Sequence, residues 1–241
     1  MISSTLPLLE NMRQLLGILL ICFILLVSVS SCSCRPEPEL DTSLLTDDPC
    51  AAPCWHNITP GISNEDDVRS QLTSSPFVRS GTAERIRTDK WGNPLDQFSW
   101  QGRGKELNRI YLQDGKALSI EIHLDYTLTL EEVVKKYGPP EYVYGHVYGV
   151  EKRGYQVYFD YPAQGWEFIS YTYPIRVRDY TMDGKVGILS EDLKVTDVVY
   201  FAPTSLKGKC SEVYLVPQDA VENCMAGFYK WEGFGQIKLS P

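Results

Sequence analysis

The chain has 241 residues, of which 43% are hydrophobic and 22% charged, a globular balance that excludes a disordered or low-complexity body. Lys plus Arg number 23 against 31 Asp plus Glu, a formal net charge of -8, so the basic face of a phosphate-backbone binder is missing and no nucleic acid partner is expected. Seven Cys and 15 Tyr are the unusual contents, and their meaning depends on where they fall.

Residues 15–29, LLGILLICFILLVSV, are shorter than the about 20 apolar residues that span a bilayer and have the length of a signal-peptide core. Arg13 precedes the run, and Val29-Ser30-Ser31 closes it directly before Cys32. This arrangement resembles the lipobox of bacterial lipoproteins, which implies that residues 1–31 are a signal peptide and that Cys32 is acylated at the new N-terminus. The alternative is a short signal anchor that stays uncut. Processing removes one acid, Glu10, and one base, Arg13, so the mature chain stays acidic and is not drawn to anionic lipid. The acyl chains on Cys32 are then the expected membrane partner, and stable anchoring takes more than one. The expected place is the cell membrane, facing outside the cytoplasm.

Residues 32–49 are rich in Pro and acids and predict a tether. With Cys22 in the signal and Cys32 under lipid, Cys34, Cys50, Cys54, Cys210 and Cys224 remain. Outside the cytoplasm an even set is a disulfide set, and Cys34 is the expected odd one. Closeness in sequence favours Cys50 with Cys54 and Cys210 with Cys224, while pairing of the first two with the last two stays open. A zinc reading of Cys50, Cys54 and His56 has no nearby fourth ligand, so neither metal nor cofactor is expected.

The sequon Asn57-Ile58-Thr59 is read as coincidence in a bacterial-type lipoprotein. Ser63 then predicts a helix N-cap with Asp66 completing a capping box, and sixty-six residues later Thr129 and Glu132 predict the same. Strands are expected over Gln97–Gln101, and over Arg109–Leu112 and Ala117–Leu124 around the Asp114-Gly115 turn. After the second helix they are expected over Tyr142–Val150 and Tyr155–Tyr161, over Arg176–Tyr180 and Lys185–Leu189 around Asp183-Gly184, and over Val195–Phe201. The recurring order of helix and antiparallel strands predicts an α+β fold: two tandem repeats, residues 50–125 and 126–203, packing a sheet against helices, with a disulfide-bearing extension over 204–241.

Two patterns, Gly61-Ile62-Ser63 with Asp66-Asp67-Val68, and Leu128-Thr129 with Glu132-Val133-Val134 and Tyr137-Gly138-Pro139-Pro140, resemble helix starts of envelope lipoproteins of the BamE (SmpA/OmlA) type. They also resemble the tandem repeats of the β-lactamase-inhibitor-protein-like fold. The resemblance implies an envelope location and supplies no activity.

Nucleotide-binding and hydrolase signatures are missing from the sequence. The three His residues are His56, His123 and His146; the last two fall on alternating strands, where an ordinary strand position is the preferred reading. Glu65-Asp66-Asp67 and Glu131-Glu132 occupy first helical turns, where negative charge is favoured without any site, and Asp179 to Gly184 lacks calcium-loop spacing. The aromatic residues are more informative. Nine of the 15 Tyr lie between Tyr142 and Tyr180, and alternation puts Tyr142, Tyr144, His146 and Tyr148 on one strand face. Tyr155, Phe159 and Tyr161 share a face of the next strand, and Trp166 extends the set. Exposed, these residues form a surface for a protein or glycan; covered by helices, they are core. The expected role is a lipid-anchored, non-enzymatic protein- or glycan-binding module of the cell envelope. The alternatives are an envelope hydrolase using carboxylates and a purely structural role.

Overall fold

The computed structural model describes residues 37–89, 92, 94–148, 154–172, 180–181 and 184–239. The apolar run 15–29, Cys32 and Cys34 lie outside the described residues, as do the turn at Glu151–Arg153, the predicted strand over 176–179 and Asp183. Pro38–Pro241 is one compact unit.

Alternation is the organising feature of its strands. In Ser119-Ile120-Glu121-Ile122-His123-Leu124 the even positions are buried and apolar and the odd positions polar, so one sheet face must be covered while the other tolerates water. The strands are β1 (Glu84–Thr88), β2 (Pro94–Gln101), β3 (Leu107–Gln113), β4 (Lys116–Thr129), β5 (Tyr142–Tyr148), β6 (Gly154–Tyr161) and β7 (Trp166–Thr172), followed by β8 (Tyr180–Thr181), β9 (Gly184–Leu189), β10 (Lys194–Phe201), β11 (Tyr229–Lys230) and β12 (Gly235–Leu239). Nine of them form an antiparallel sheet in the order β1-β2-β3-β4-β10-β7-β6-β5-β11, and β12-β9-β8 form a small second sheet.

This corrects the expected fold class. There are not two helix-plus-strand repeats packed against helices, but one large sheet with few, short helices. The physical cause is β10. It inserts between β4 and β7, with Val198 opposite both Ile122 and Phe168, so the ladder edges that two separate units would leave unpaired are joined into one sheet.

The two longer described helices, Glu65–Ser74 and Leu130–Tyr137, cover one face. Val68, Leu72, Leu130 and Val133 join Phe98, Trp100, Ile110, Ile120, Phe159, Phe168, Val198 and Tyr200 in the core, and each large side chain contributes about 1.5–3 kcal/mol of burial. Thr129 and Glu132 form the predicted capping box. The first helix is capped one residue later than predicted: Asn64 accepts from the Asp66 and Asp67 amides and Asp67 closes the box, while Ser63 Oγ accepts from the Thr59 amide.

The tether reading also needs correction over its second half. Leu44 is 5% exposed, and Lys136 Nζ donates to the carbonyls of Leu44 and Leu45 at 2.8 and 2.6 Å. Asp41 Oδ2 accepts from Trp55 Nε1 at 2.7 Å, and its Oδ1 lies 3.1 Å from His56 Nε2. Against the desolvation that would raise it, hydrogen bonds with His56, Ser43 and Trp55 hold the Asp41 carboxyl below its ordinary value. The acids and Pro suggested a solvated chain, but Asp41 and Leu44 pin residues 41–47 to the domain. The structure pairs Cys50 with Cys54 and Cys210 with Cys224.

Candidate functional site

The sheet face opposite the two helices carries the polar half of each alternation: Arg109 and Tyr111 from β3, Glu121 and His123 from β4, Asp197 and Val199 from β10, Glu167, Ile169 and Tyr171 from β7, and Gln156, Tyr158 and Asp160 from β6. Cross-strand pairs place them side by side: Arg109 with Glu121, Glu121 with Val199, Val199 with Glu167, and Glu167 with Asp160.

Part of this face is sealed by the chain after β10. A short helix, Leu206–Gly208, runs into a π-helical turn, Lys209–Val213, and the Cys210–Cys224 bridge ties that turn to the helix Val221–Ala226. The turn drives Lys209 into the sheet face until it is 0% exposed. Its partners explain why. Asp160 and Glu167 stand directly opposite each other on neighbouring strands, a like-charge pairing that costs stability. Lys209 Nζ donates to Glu167 Oε2 at 2.6 Å and lies 2.9 Å from Asp160 Oδ1, and Tyr214 adds a hydroxyl donor to Glu167 at 2.8 Å. The rings of Tyr214, Phe201 and Phe228 surround the ammonium with centroids 4.8, 5.0 and 5.6 Å away, a cation–π setting that favours the charge. Burial still pushes the Asp160 carboxyl up, to about 7, although Lys209 opposes it.

Beside this cap the face opens into a cavity of about 540 Å³. Pro94, Leu95 and Asp96 line one part and Val213, Tyr214 and Leu215 of the cap another, with Ser119, Ile169 and Val199 contributed by central strands. Tyr111, Tyr158 and Tyr171 bring rings into it alongside Glu121, Gln156 and Glu167. The polar tips are held in place: Gln156 Nε2 donates to Tyr171 Oη at 2.8 Å, Tyr111 Oη donates to Glu121 Oε2 at 3.4 Å, and Arg109 donates to Glu121 Oε1 at 3.1 Å. Burial pushes the Tyr111 and Tyr171 hydroxyls up to about 12, so both stay protonated donors at neutral pH. Burial also raises Glu121, against the attraction of Arg109. On the same face His123 Nδ1 lies 3.0 Å from Asp197 Oδ1, and that hydrogen bond raises the His123 pKa.

The candidate surface read from the sequence divides between the two faces. Tyr142, Tyr144 and His146 are half-buried on the polar face, where the Phe228 ring stands 5.2 Å from that of Tyr144 and partly covers it. Tyr148 pairs with Gly154 at the end of β5, and its side chain lies outside the described residues. Tyr155, Phe159, Tyr161 and Trp166 belong to the opposite face: Tyr155 is half-buried, and the other three are buried. Those four are core or core rim, because Tyr137 packs on Trp166, Tyr161 Oη donates to the Gly138 carbonyl, Trp231 packs on Phe159 and Tyr155 Oη donates to the Ile188 carbonyl of β9. Glu121, Tyr111, Gln156, Tyr158 and Lys209 were not foreseen as a site. The available signal was Gln156-Tyr158-Asp160 alternating with Val157-Phe159-Tyr161, a strand with aromatic residues on both faces and its polar groups all on one.

Among the described residues, no group of three or more His, Cys, Asp or Glu side chains is placed to hold a metal ion, and no helix is long and apolar enough to cross a membrane. No protein-family model matches the chain, and neither the curated proteins nor the solved structures contain a match to it.

Proposed function

We propose that the protein is a lipid-anchored binding protein of the cell envelope, exposed outside the cytoplasm, that holds a small glycan in the tyrosine-lined cavity on the polar face of its sheet. The cavity carries this reading. Its volume, about 540 Å³, lies in the range of small-molecule sites, and Tyr111, Tyr158 and Tyr171 offer what a sugar ring needs, a broad apolar surface edged by fixed polar groups. A protein partner would need a larger exposed apolar patch, and the aromatic residues that suggested one are core or partly covered. Attachment to the membrane rests on the apolar run and Cys32. Mass spectrometry of the membrane-bound form is expected to find acyl chains on Cys32 and no residues 1–31; an intact N-terminal segment would remove the lipoprotein reading.

Binding is tested by calorimetry with oligosaccharide fragments of cell-wall glycan. Tyr171 is 38% exposed, so Tyr171→Ala is expected to leave the melting temperature within a few degrees and to weaken binding at least about tenfold, roughly 1.4 kcal/mol. Unchanged affinity in this variant would take the cavity out of consideration. Two carboxylates in one cavity, Glu121 and Glu167, on either side of β10, support a second reading as a hydrolase, since a pair of carboxyl groups can divide general-acid and general-base work. Release of new reducing ends, lost in both Glu121→Gln and Glu167→Gln, would establish it; binding without turnover would exclude it for that substrate.

A further inference from the structure

The charges around the cavity are sorted by sign. Its charged lining consists of Asp96, Glu121 and Glu167, and among the described residues no Lys, Arg or His side chain lines it. Each acid does have a cation, though none of the three cations is part of the lining: Arg85 holds Asp96 through two 2.9 Å hydrogen bonds, Arg109 holds Glu121, and Lys209 holds Glu167. A carboxylate offers about four acceptor positions; Glu121 accepts from Arg109 and Tyr111, and Glu167 accepts from Lys209 and Tyr214 through Oε2 alone, so each keeps acceptor capacity. The remaining wall is mostly apolar, with four tyrosines, Tyr111, Tyr158, Tyr171 and Tyr214, set among aliphatic side chains such as Leu95, Ile169 and Leu215.

This arrangement discriminates among ligands by charge. An anionic group entering the cavity would meet three lining carboxylates and no lining cation. A neutral hydroxyl or amide N–H would donate to the acids in place of water but bring no charge to match theirs. A cationic amine would donate to Glu121 and Glu167 in charge-assisted hydrogen bonds and lie against tyrosine faces, whose quadrupole attracts cations. We propose that the cavity recognises an organic ammonium group and, within the glycan reading on which this rests, selects amino sugars with a free amine over their N-acetylated counterparts.

The test is calorimetry on the mature membrane-extracted protein in detergent with three probes at mildly acidic pH, where the amines are charged: a β-1,4-linked glucosamine tetramer, the N-acetylglucosamine tetramer, and spermidine as an amine without sugar. The expected result is binding of the glucosamine tetramer at least about tenfold tighter than of its acetylated form, with spermidine weaker than the tetramer. Glu121→Gln is expected to bring the two sugars within about twofold of each other, and Tyr171→Leu to weaken both while keeping the preference; Glu131→Gln, in the first turn of Leu130–Tyr137, should change nothing. Equal or tighter binding of the acetylated tetramer overturns the ammonium proposal and leaves the glycan reading standing. Spermidine binding as tightly as the glucosamine tetramer keeps the ammonium proposal and overturns the glycan reading. Absence of binding by all three overturns both.

Discussion

Lys209→Met is expected to destabilise the protein by about 3–5 kcal/mol at neutral pH, the cost of breaking a buried ion cluster by removing one partner. Methionine fills a similar volume and keeps the contacts with Phe201, Tyr214 and Phe228, so the loss comes from electrostatics rather than from a cavity. Without the ammonium, Asp160 and Glu167 face each other across β6 and β7 with only the Tyr214 hydroxyl left to stabilise negative charge there. The pH dependence separates this cause from simple mispacking. Asp160 in the folded protein is raised to about 7 from 3.8, so between those values the native state holds a proton that the unfolded chain has released. Its contribution to stability is therefore complete below pH 3.8 and declines as pH rises through about 7. In Lys209→Met the raising influence on Asp160 grows, because the cation that opposed it is gone. The deficit of the variant relative to the parent should then grow as pH rises above about 7, where Asp160 ionises beside Lys209 in the parent and is held protonated in the variant. Urea unfolding of both proteins followed by circular dichroism at about pH 6 and about pH 9 measures it. A deficit below about 1 kcal/mol, or one independent of pH, would show that Lys209 does not hold the cap by charge.

The same cluster shows where sequence reasoning stops. Lys209 lies in a segment readable only as a disulfide-bearing extension, directly before Cys210, and its partners are 49 and 42 positions earlier, in strands whose acids look like ordinary polar positions. A local pattern does not encode a charge match at that separation. Features set by short-range physics were legible: the β3–β4 turn at Asp114-Gly115, the Thr129–Glu132 capping box and the favoured local disulfides all depend on residues within about a turn or a loop of each other. Face membership was legible too, since Tyr144 and His146 share a face by alternation alone. Which face the helices cover was not, because β6 has aromatic residues on both sides, Tyr158 on one and Phe159 and Tyr161 on the other. The insertion of β10 between β4 and β7 was hidden for a related reason. Alternation makes Val195 to Phe201 a strand, but the choice of edge depends on which edges other parts of the chain leave open. Asp41 was lost among tether acids because its importance comes from Trp55 and His56, which reach it only in the folded state.

The cap makes a second large effect predictable, and it links stability to binding. Cys210 and Cys224 close a loop of sequence separation 14, for which the chain-entropy model gives about 3 kcal/mol, against about 2 kcal/mol for Cys50 and Cys54 at separation 4. Paired replacement by alanine, Cys210→Ala with Cys224→Ala, is expected to cost the larger amount. It should also act locally, because the loop contains Val213, Tyr214 and Leu215, which line the cavity, and Tyr214, which bonds to Glu167. Freed of the bridge, residues 206–228 should open at lower free energy than the sheet beneath. Limited proteolysis is then expected to cut first near Leu215, which is 54% exposed, while the sheet stays intact, and affinity for a cavity ligand should fall along with the melting temperature. The pair Cys50→Ala with Cys54→Ala lies beside the docked Asp41 segment, and the cavity does not include its loop, so it should lower the melting temperature and leave affinity unchanged. Equal loss of affinity in the two double variants would mean that binding follows global stability. Loss confined to the Cys210–Cys224 variant would mean that the bridge holds one wall of the site in place, so that the extension after β10 serves the cavity as well as the fold.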